Sequence, residues 1–521
     1  MVPYDTGFGG DASIARSPAT GSVFGVGAVV ATTAGTSGEA SGDAPHDASG
    51  DASGDASGDA PGGRPGGRHA RPRAQRPPRP LRTRLPGRRF RVFGVGGLVA
   101  VLLGGLLTAS LVLAPVFGAG DDGRKPFGAG EAAPAAVPPP VQGTGYYRVV
   151  QEPDGRWMFR TPDGRPFYSV GVNAVRNQED LERDTGRCPY CEAVSSRFPN
   201  PRHWVEATTQ RLDEWGFNTL GAWSDSDLFR GRFAYTPVLN LSGSAPGGAP
   251  AWDWFDPAFA AHVADVVRVT VTPRSTDPNL LGWFLDDELH WGPDGVAPTT
   301  LLDEYLARPE GTAGRTAAEA RRGDPQGFLR DAAQRYFEVT ATAVRGADPN
   351  HLILGVRASS HTTPPEVVQT AGVFVDVFSV NAYRPTPEAE AVFAQAGGSV
   401  VPAAPDLRDF HTLSGRPVMV TEFSSRAAGS GSPNTVPAGL PVEATQDARA
   451  DRYSEYVGPL FAAPWVVGHH WYRYADSPPG GRAEPDDGQN SNFGLVSVDD
   501  VPWEPLVSRI AATNAGAPGR G

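Results

Sequence analysis

From position 167 onward the chain carries eight short apolar runs, most of them separated by stretches with helical start and stop signals. The runs are 167–173 (FYSVGVN), 218–223 (NTLGAW), 234–240 (AYTPVLN), 281–287 (LGWFLDD), 351–357 (HLILGVR), 375–381 (VDVFSVN), 417–421 (PVMVT) and 466–471 (VVGHHW). Strands apolar on both faces belong in a parallel sheet covered by helices on both sides. Asn200 before Pro201 and Asp256 before Pro257 pair a helix cap with a proline suited to the first turn. Helices are expected over 201–216, from 257, and over 326–347 and 444–461, with a last one near Pro502. The connection between Trp223 and Phe233 leaves room for only a vestigial helix. Eight such units fit a (β/α)8 TIM barrel within residues 142–515. A hairpin (YYRVVQ, turn EPDG, WMFRT) precedes it.

The residues before the barrel have a different composition. Residues 1–60 hold eight acidic residues and one base, Arg16, whereas 61–91 hold eleven arginines and no acid. With the chain at −12, the remainder carries −16, because −7 + 11 − 16 = −12. DASG repeats and an Arg/Pro-rich stretch cannot bury a core, so 1–89 is expected to be a disordered tail. No charged residue lies between Arg91 and Asp121. Residues 92–118 are long enough to span roughly 30 Å of hydrocarbon as a helix. Arginines on the N-terminal side and Asp121 and Asp122 beyond place the tail in the cytoplasm and the barrel outside. A cleaved signal peptide is the competing reading, but the run is long for one and no A-x-A site follows it. Residues 121–141 (Pro/Gly/Ala-rich) read as a linker. The expected location is therefore the cell membrane, single-pass, with the barrel extracytoplasmic, or secreted if the apolar run is removed. The arginine arm lies beside this run, so anionic lipid headgroups suit it better than nucleic acid.

Two cysteines, Cys188 and Cys191, form a CPYC motif with no thioredoxin-like context and no second pair to complete a zinc site. In an oxidising compartment a local disulfide is the simpler expectation.

In this fold chemistry collects at the C-terminal ends of the strands. Those ends gather Asn173, Trp223, Asp287, Glu288, Trp291, Arg357, Asn381, Tyr383, Glu422, His470 and Trp471. Carboxylates among aromatic rings, amides and a guanidinium suit a sugar polymer: rings stack on sugar faces, and polar groups read hydroxyls. Strands four and seven face each other across a barrel mouth, so Glu288 and Glu422 can meet. Cleaving a glycosidic bond requires a proton for the leaving oxygen and a second carboxylate across the anomeric carbon. A separation of about 5–5.5 Å lets that second carboxylate attack directly, with retention of configuration. Asp286, Asp287, Glu288 and His290 could instead bind a divalent cation, but alternation along a strand turns Asp287 and Glu288 apart. No metal and no nucleotide cofactor is expected; neither an H-E-x-x-H nor a P-loop is present.

The segments GWFLDDELHW, VDVFSVNAY, RPVMVTEFSS and GHHWYRY resemble strands four, six, seven and eight of clan A glycoside hydrolases. WMFRTPDGRPFYSVGVN and EWGFNTLGAWSD are similar to their first two strand regions, and agarases and β-galactosidase-type enzymes look most alike. The resemblance covers about 145–510. It implies Glu288 as acid/base, Glu422 as nucleophile, Tyr383 bonded to the nucleophile, and Trp471 beneath the sugar at the cleaved bond. Strand-end position, apart from the resemblance, offers Asn173, Trp223, Asp287, Trp291, Arg357, Asn381 and His470 as substrate contacts. One position departs from the pattern: the clan places Asn before the acid/base, to hold the sugar 2-hydroxyl, and here Asp287 stands there. The expectation is a retaining β-glycoside hydrolase acting on a poly- or oligosaccharide. A barrel that binds glycan without cutting it is the alternative.

Overall fold

Eight parallel strands close into a ring. They are Ser169–Val172, Thr219–Leu220, Ala234–Tyr235, Gly282–Phe284, Leu352–Gly355 continued by Ala358–Ser359, Phe378–Asn381, Val418–Phe423 and Val466–Trp471. Strand eight pairs with strands seven and one, placing Trp471 beside Val172. Strands one, two and three follow in order. Parallel bridges at Tyr235–Leu280 and Val238–Phe284 join strand three to strand four. Strand five pairs with strand four through its first half and with strand six through its second. Strand six pairs with strand seven and completes the ring.

This is a computed structural model that describes residues 143–178, 180–243, 252–292, 299–387, 389, 407–483 and 487–519. The expected tail, apolar run and linker (1–89, 92–118 and 121–141) lie outside the described residues. Among the described residues no helix is long and apolar enough to cross a membrane.

Local chemistry explains the main helices. Asn200 caps Pro201–Glu214 by accepting from Arg202 N, and Asp256 caps Pro257–Val266 by accepting from Ala258 N. The 23-residue helix Pro325–Ala347 turns Phe328, Ala332, Tyr336, Phe337 and Val344 inward at helical spacing. The vestigial connection after strand two is a 3₁₀ turn, Ser226–Phe229. Other helices lie in connections between the strands. Pro189–Arg197 is one; Cys188 is its cap and is disulfide-bonded to Cys191 inside it. Leu301–Leu306 and Ala313–Ala320 occupy the connection after strand four.

One large apolar layer lies between strands and helices, and a smaller core fills the ring. The smaller one contains Leu281, Phe284, Leu352, Leu354, Val377, Met419 and Val467, with Tyr147 and Phe159 from the N-terminal antiparallel sheet. That sheet is Arg148–Gln151, Trp157–Arg160 and Pro166–Phe167, so Phe167, expected in strand one, belongs to it. Trp157 N donates to Pro464 O, just before strand eight, and the Tyr146 ring meets His351, just before strand five. The sheet therefore covers the end of the ring where strands begin, and the end where they finish carries the polar side chains.

Candidate active site

The strands are shorter than their apolar runs because the backbone turns out of extended geometry at their ends. Seven non-glycine described residues have positive φ, and five of them follow strands one to five: Ala174 (53°), Trp223 (59°), Asn240 (50°), Glu288 (43°) and Arg357 (48°). Such conformations cost free energy and persist where surrounding structure holds them, characteristically at functional sites. At Trp223, Glu288 and Arg357 they aim side chains across the mouth that a regular strand would alternate away.

Glu288 illustrates the effect. Strand four ends at Phe284, and the left-handed turn at Glu288 breaks the alternation that was expected to separate Asp287 from Glu288. Asn381 Nδ2 donates to both, at 3.1 Å from Asp287 Oδ1 and 3.0 Å from Glu288 Oε1. The other polar residues of that run, Asp286 and His290, go elsewhere. Asp286 accepts from Ser242 N, Gly243 N and the Tyr336 hydroxyl, and His290 Nε2 lies 2.6 Å from Glu304. Asp286 thus braces the chain after strand three, and burial pushes its carboxyl up to about 7 against those donors.

Strand seven contributes through an irregularity. Its register with strands six and eight shifts near its end. Thr421 Oγ donates to Asn381 Oδ1, and the next residue, Glu422, also turns to the mouth. Arg357 Nη2 donates to Glu422 Oε1 at 2.5 Å, and the Tyr383 hydroxyl donates to Oε2 at 2.7 Å. Arg357 Nη1 lies 3.3 Å from Asp287 Oδ1. Glu422, Asp287 and Arg357 are buried, whereas Glu288 is half-buried. Burial disfavours the Arg357 cation, but Asp287 and Glu422 outweigh it and hold the guanidinium above its ordinary range. Burial, then Glu422, raises the Tyr383 phenol well above its ordinary range, which keeps it a donor.

Around these groups the rim is partly aromatic. The Arg357 cation sits 4.3 Å from the Trp223 ring centroid. Asn173 Nδ2 donates to Thr421 O at 2.9 Å. His470 lies inside the ring, its Nε2 at 2.9 Å from Ser169 Oγ, and burial lowers it far below the usual imidazole range, so it is neutral. Two glycines make room here. A Cβ on Gly171 would lie 2.2 Å from the His470 ring, and one on Gly221 would lie 2.0 Å from Asn173 Oδ1.

Asn173, Trp223, Asp287, Glu288, Arg357, Asn381, Tyr383, Glu422 and His470 are therefore brought together. Two expected contact residues are not. Trp291 packs in the apolar layer against Trp254, Tyr336 and Phe337, because the turn at Glu288 redirects the chain behind the rim. Trp471 faces outward onto Phe423 and Tyr453. Alternation on strand eight sends His470 inward and Trp471 outward. The aromatic from that strand end that meets Trp223 and Tyr383 is Tyr472, with ring centroids 6.2 and 6.5 Å away. Counting by twos through GHHWYRY from the inward His470 would have found it.

No family model matches the chain. It is 25% identical over 484 residues to beta-agarase B of Vibrio sp. (strain JT0107), which spans 72% of this chain and 48% of that protein. It is 26% identical over 470 residues to beta-agarase A of the same strain, spanning 71% and 45%. The chain thus covers about half the length of these relatives. Among solved structures, an agarase superposes with a TM-score of 0.60 at 24% identity, covering 73% of this chain and 65% of its own. An exo-beta-agarase gives 0.60 at 22% identity, covering 72% and 66%. Its relatives in sequence are β-agarases and its neighbours in fold are agarases: the chain is agarase-like, consistent with the clan A glycoside hydrolases.

Proposed function

We propose that the chain is a retaining glycoside hydrolase that cleaves β-glycosidic bonds in a polysaccharide, with Glu288 as acid/base and Glu422 as nucleophile. The observation that carries this reading is that two carboxyls from strand ends four and seven turn into one mouth, linked through Asn381, which donates to Glu288 and accepts from Thr421 beside Glu422. Glu422 is buried with a guanidinium on one oxygen and a phenol on the other, which fix its orientation. Glu288 is half-buried, and its Oε1 accepts from the Asn381 amide at 3.0 Å. In the first step a Glu422 oxygen bonds to the anomeric carbon as that carbon's bond to the leaving oxygen breaks, and Glu288 gives its proton to that oxygen. Glu288 then takes a proton from water, whose oxygen displaces Glu422 and restores both groups. Tyr383 and Arg357 hold Glu422 in line for attack, and Trp223 and Tyr472 offer ring faces to the sugar.

Since the relatives carry β-agarase names, agarose-type galactan is the first polysaccharide to test. Residues 141–521 are to be incubated with agarose, other polysaccharides and a panel of aryl β-glycosides. Glu422→Gln should abolish turnover, and Glu288→Gln should lower it by about 10²–10⁴-fold. A 2-fluoro glycoside should label Glu422 covalently. Near-full rate in either variant, or an unlabelled Glu422, would overturn the assignment, and glycan binding without turnover would leave the non-cutting barrel.

The apolar run 92–118 is proposed to hold this barrel on the outer face of the membrane. Protease added to intact cells should release the barrel; a barrel that stays protected, or that is found free in the medium, contradicts the anchor.

A further inference from the structure

Tyr472, whose ring meets Trp223 and Tyr383 in the mouth, is tied down at its far end. Its hydroxyl donates to Gln489 Oε1 at 2.9 Å and accepts from Arg482 Nη1 at 3.5 Å. Gln489 Oε1 also takes the Ser477 hydroxyl at 2.8 Å, and Ser477 Oγ accepts from Arg473 Nη1 at 3.4 Å. Arg482, Gln489, Ser477 and Arg473 all belong to the chain after strand eight, and all four are buried. A tyrosine ring hangs on its backbone by rotatable single bonds, so bonds at the hydroxyl fix where it stands.

Both arginines of that loop converge on a carboxylate from a different connection. Asp180, after strand one, takes Arg473 Nη1 on Oδ2, and Arg482 Nη1 lies 3.7 Å from the same oxygen. Its Oδ1 accepts from Arg176 Nη2 at 3.0 Å. The side chain is 1% exposed. Burial alone would raise this carboxyl, but Arg473, Arg482 and Arg176 outweigh it and hold it down at about 2. The backbone makes the same junction. Arg183 N donates to Gly481 O and Ala483 N to Leu181 O, both at 2.8 Å, across an antiparallel bridge between Glu182 and Arg482. Arg482 also pairs with Asp487 in its own loop. Asp180 is thus an ion that two loops share, one arginine away from the Tyr472 hydroxyl.

We propose that Asp180 is a positioning residue for Tyr472: it clamps the loop after strand eight onto the loop after strand one, so that Arg482 and Gln489 hold the Tyr472 ring where the sugar meets it. This rests on the hydrolase reading for the identity of the ligand. Asp180 bonds arginines rather than the two reacting carboxyls, so its loss tells on sugar binding and spares the chemical step. A ring that serves the bound sugar before and during the reaction raises KM when misplaced and leaves kcat nearly as it was. The effect passes through one hydroxyl, and without that hydroxyl Asp180 has nothing left to hold in the mouth. Asp180 and Tyr472 are therefore coupled, and their losses do not add.

Two measurements on the full chain test this. With agarose oligosaccharides as substrate, Asp180→Asn and Tyr472→Phe should each raise KM by about three- to tenfold, and the double variant should be no worse than the poorer single one. Independent losses would multiply instead. A multiplied rise in the double variant, or an unchanged KM in Asp180→Asn, would overturn the proposal. The second arm uses no substrate. In chain carrying carbon-13 at tyrosine Cζ, the NMR signal that Tyr472→Phe removes should shift in Asp180→Asn. A signal that stays in place overturns the clamp whether or not the wild type cuts a glycan. A wild type that shows the shift and cuts no glycan keeps the clamp and loses the hydrolase reading alone. If Asp180→Asn does not fold, Arg482→Gln, which severs the same link one step later, replaces it in both arms.

Discussion

Arg357 carries more of this site than any other single side chain. Its guanidinium contacts Glu422 and Asp287 and lies over Trp223, all without exposed surface of its own. A fork can donate to Glu422 with one arm and face Asp287 with the other, and a lysine ammonium has no such fixed spread. Arg357→Lys should therefore fold but lower kcat by at least about tenfold, or about 1.4 kcal/mol. Arg357→Met leaves buried acids without their cation and should cost about 3–5 kcal/mol of stability, read by denaturant unfolding. Asp286, one residue before Asp287, should leave a different trace. Its carboxyl is raised to about 7 in the folded chain, so the fold binds its proton more tightly than the unfolded chain does. The stability this lends is complete below the ordinary carboxylate range, about pH 4, and is lost as pH rises to about 7. Melting temperature should accordingly fall across that window, and Asp286→Asn should flatten the fall. An unchanged slope would show that Asp286 is ionised throughout.

At the scale of elements, the strand ends do the positioning, and they do it by leaving strand geometry. Left-handed turns at Trp223, Glu288 and Arg357 bring side chains into the mouth, and the register shift in strand seven adds Glu422. Ring glycines are the counterpart of these turns. Gly171 pairs in register with His470, and its missing side chain is the space that the imidazole fills. Gly171→Ala and Gly221→Ala should each cost about 1–3 kcal/mol by overpacking. Gly221→Ala should also lower activity, since the atom it strikes belongs to Asn173, whose amide holds the strand-seven backbone. Equal stability of the alanine variants and the wild type in urea would contradict this close packing.

For the whole molecule, closure of the ring decides which end works. The N-terminal sheet covers the end where strands begin, with Tyr147 and Phe159 inserted into the interior core. Removing residues up to 165 should expose that core and destabilise the barrel while leaving every mouth residue in the chain; the measurement is melting temperature together with binding of a hydrophobic dye. The Cys188–Cys191 disulfide is a smaller device. It closes a loop with a sequence separation of only 3, so reducing it should change global stability little.

Much of this was legible in the residues. Eight doubly apolar runs with proline-opened helices between them imply a parallel barrel, because only burial on both faces accommodates such strands. Their C-terminal ends marked nine of the side chains that meet at the mouth. The remainder depended on direction, which periodicity gives only while a strand stays regular. Trp291 and Trp471 look like sugar platforms by position, yet a left-handed turn and a strand's alternation send both into packing. Tyr472 takes the place expected of Trp471 for the same reason. Asp287 and Glu288 were expected to diverge and instead share one amide. Residue type and order thus determined which chemical groups the mouth would hold. Tertiary structure decided which of them face one another, because backbone turns at strand ends are held in place by contacts from distant parts of the chain.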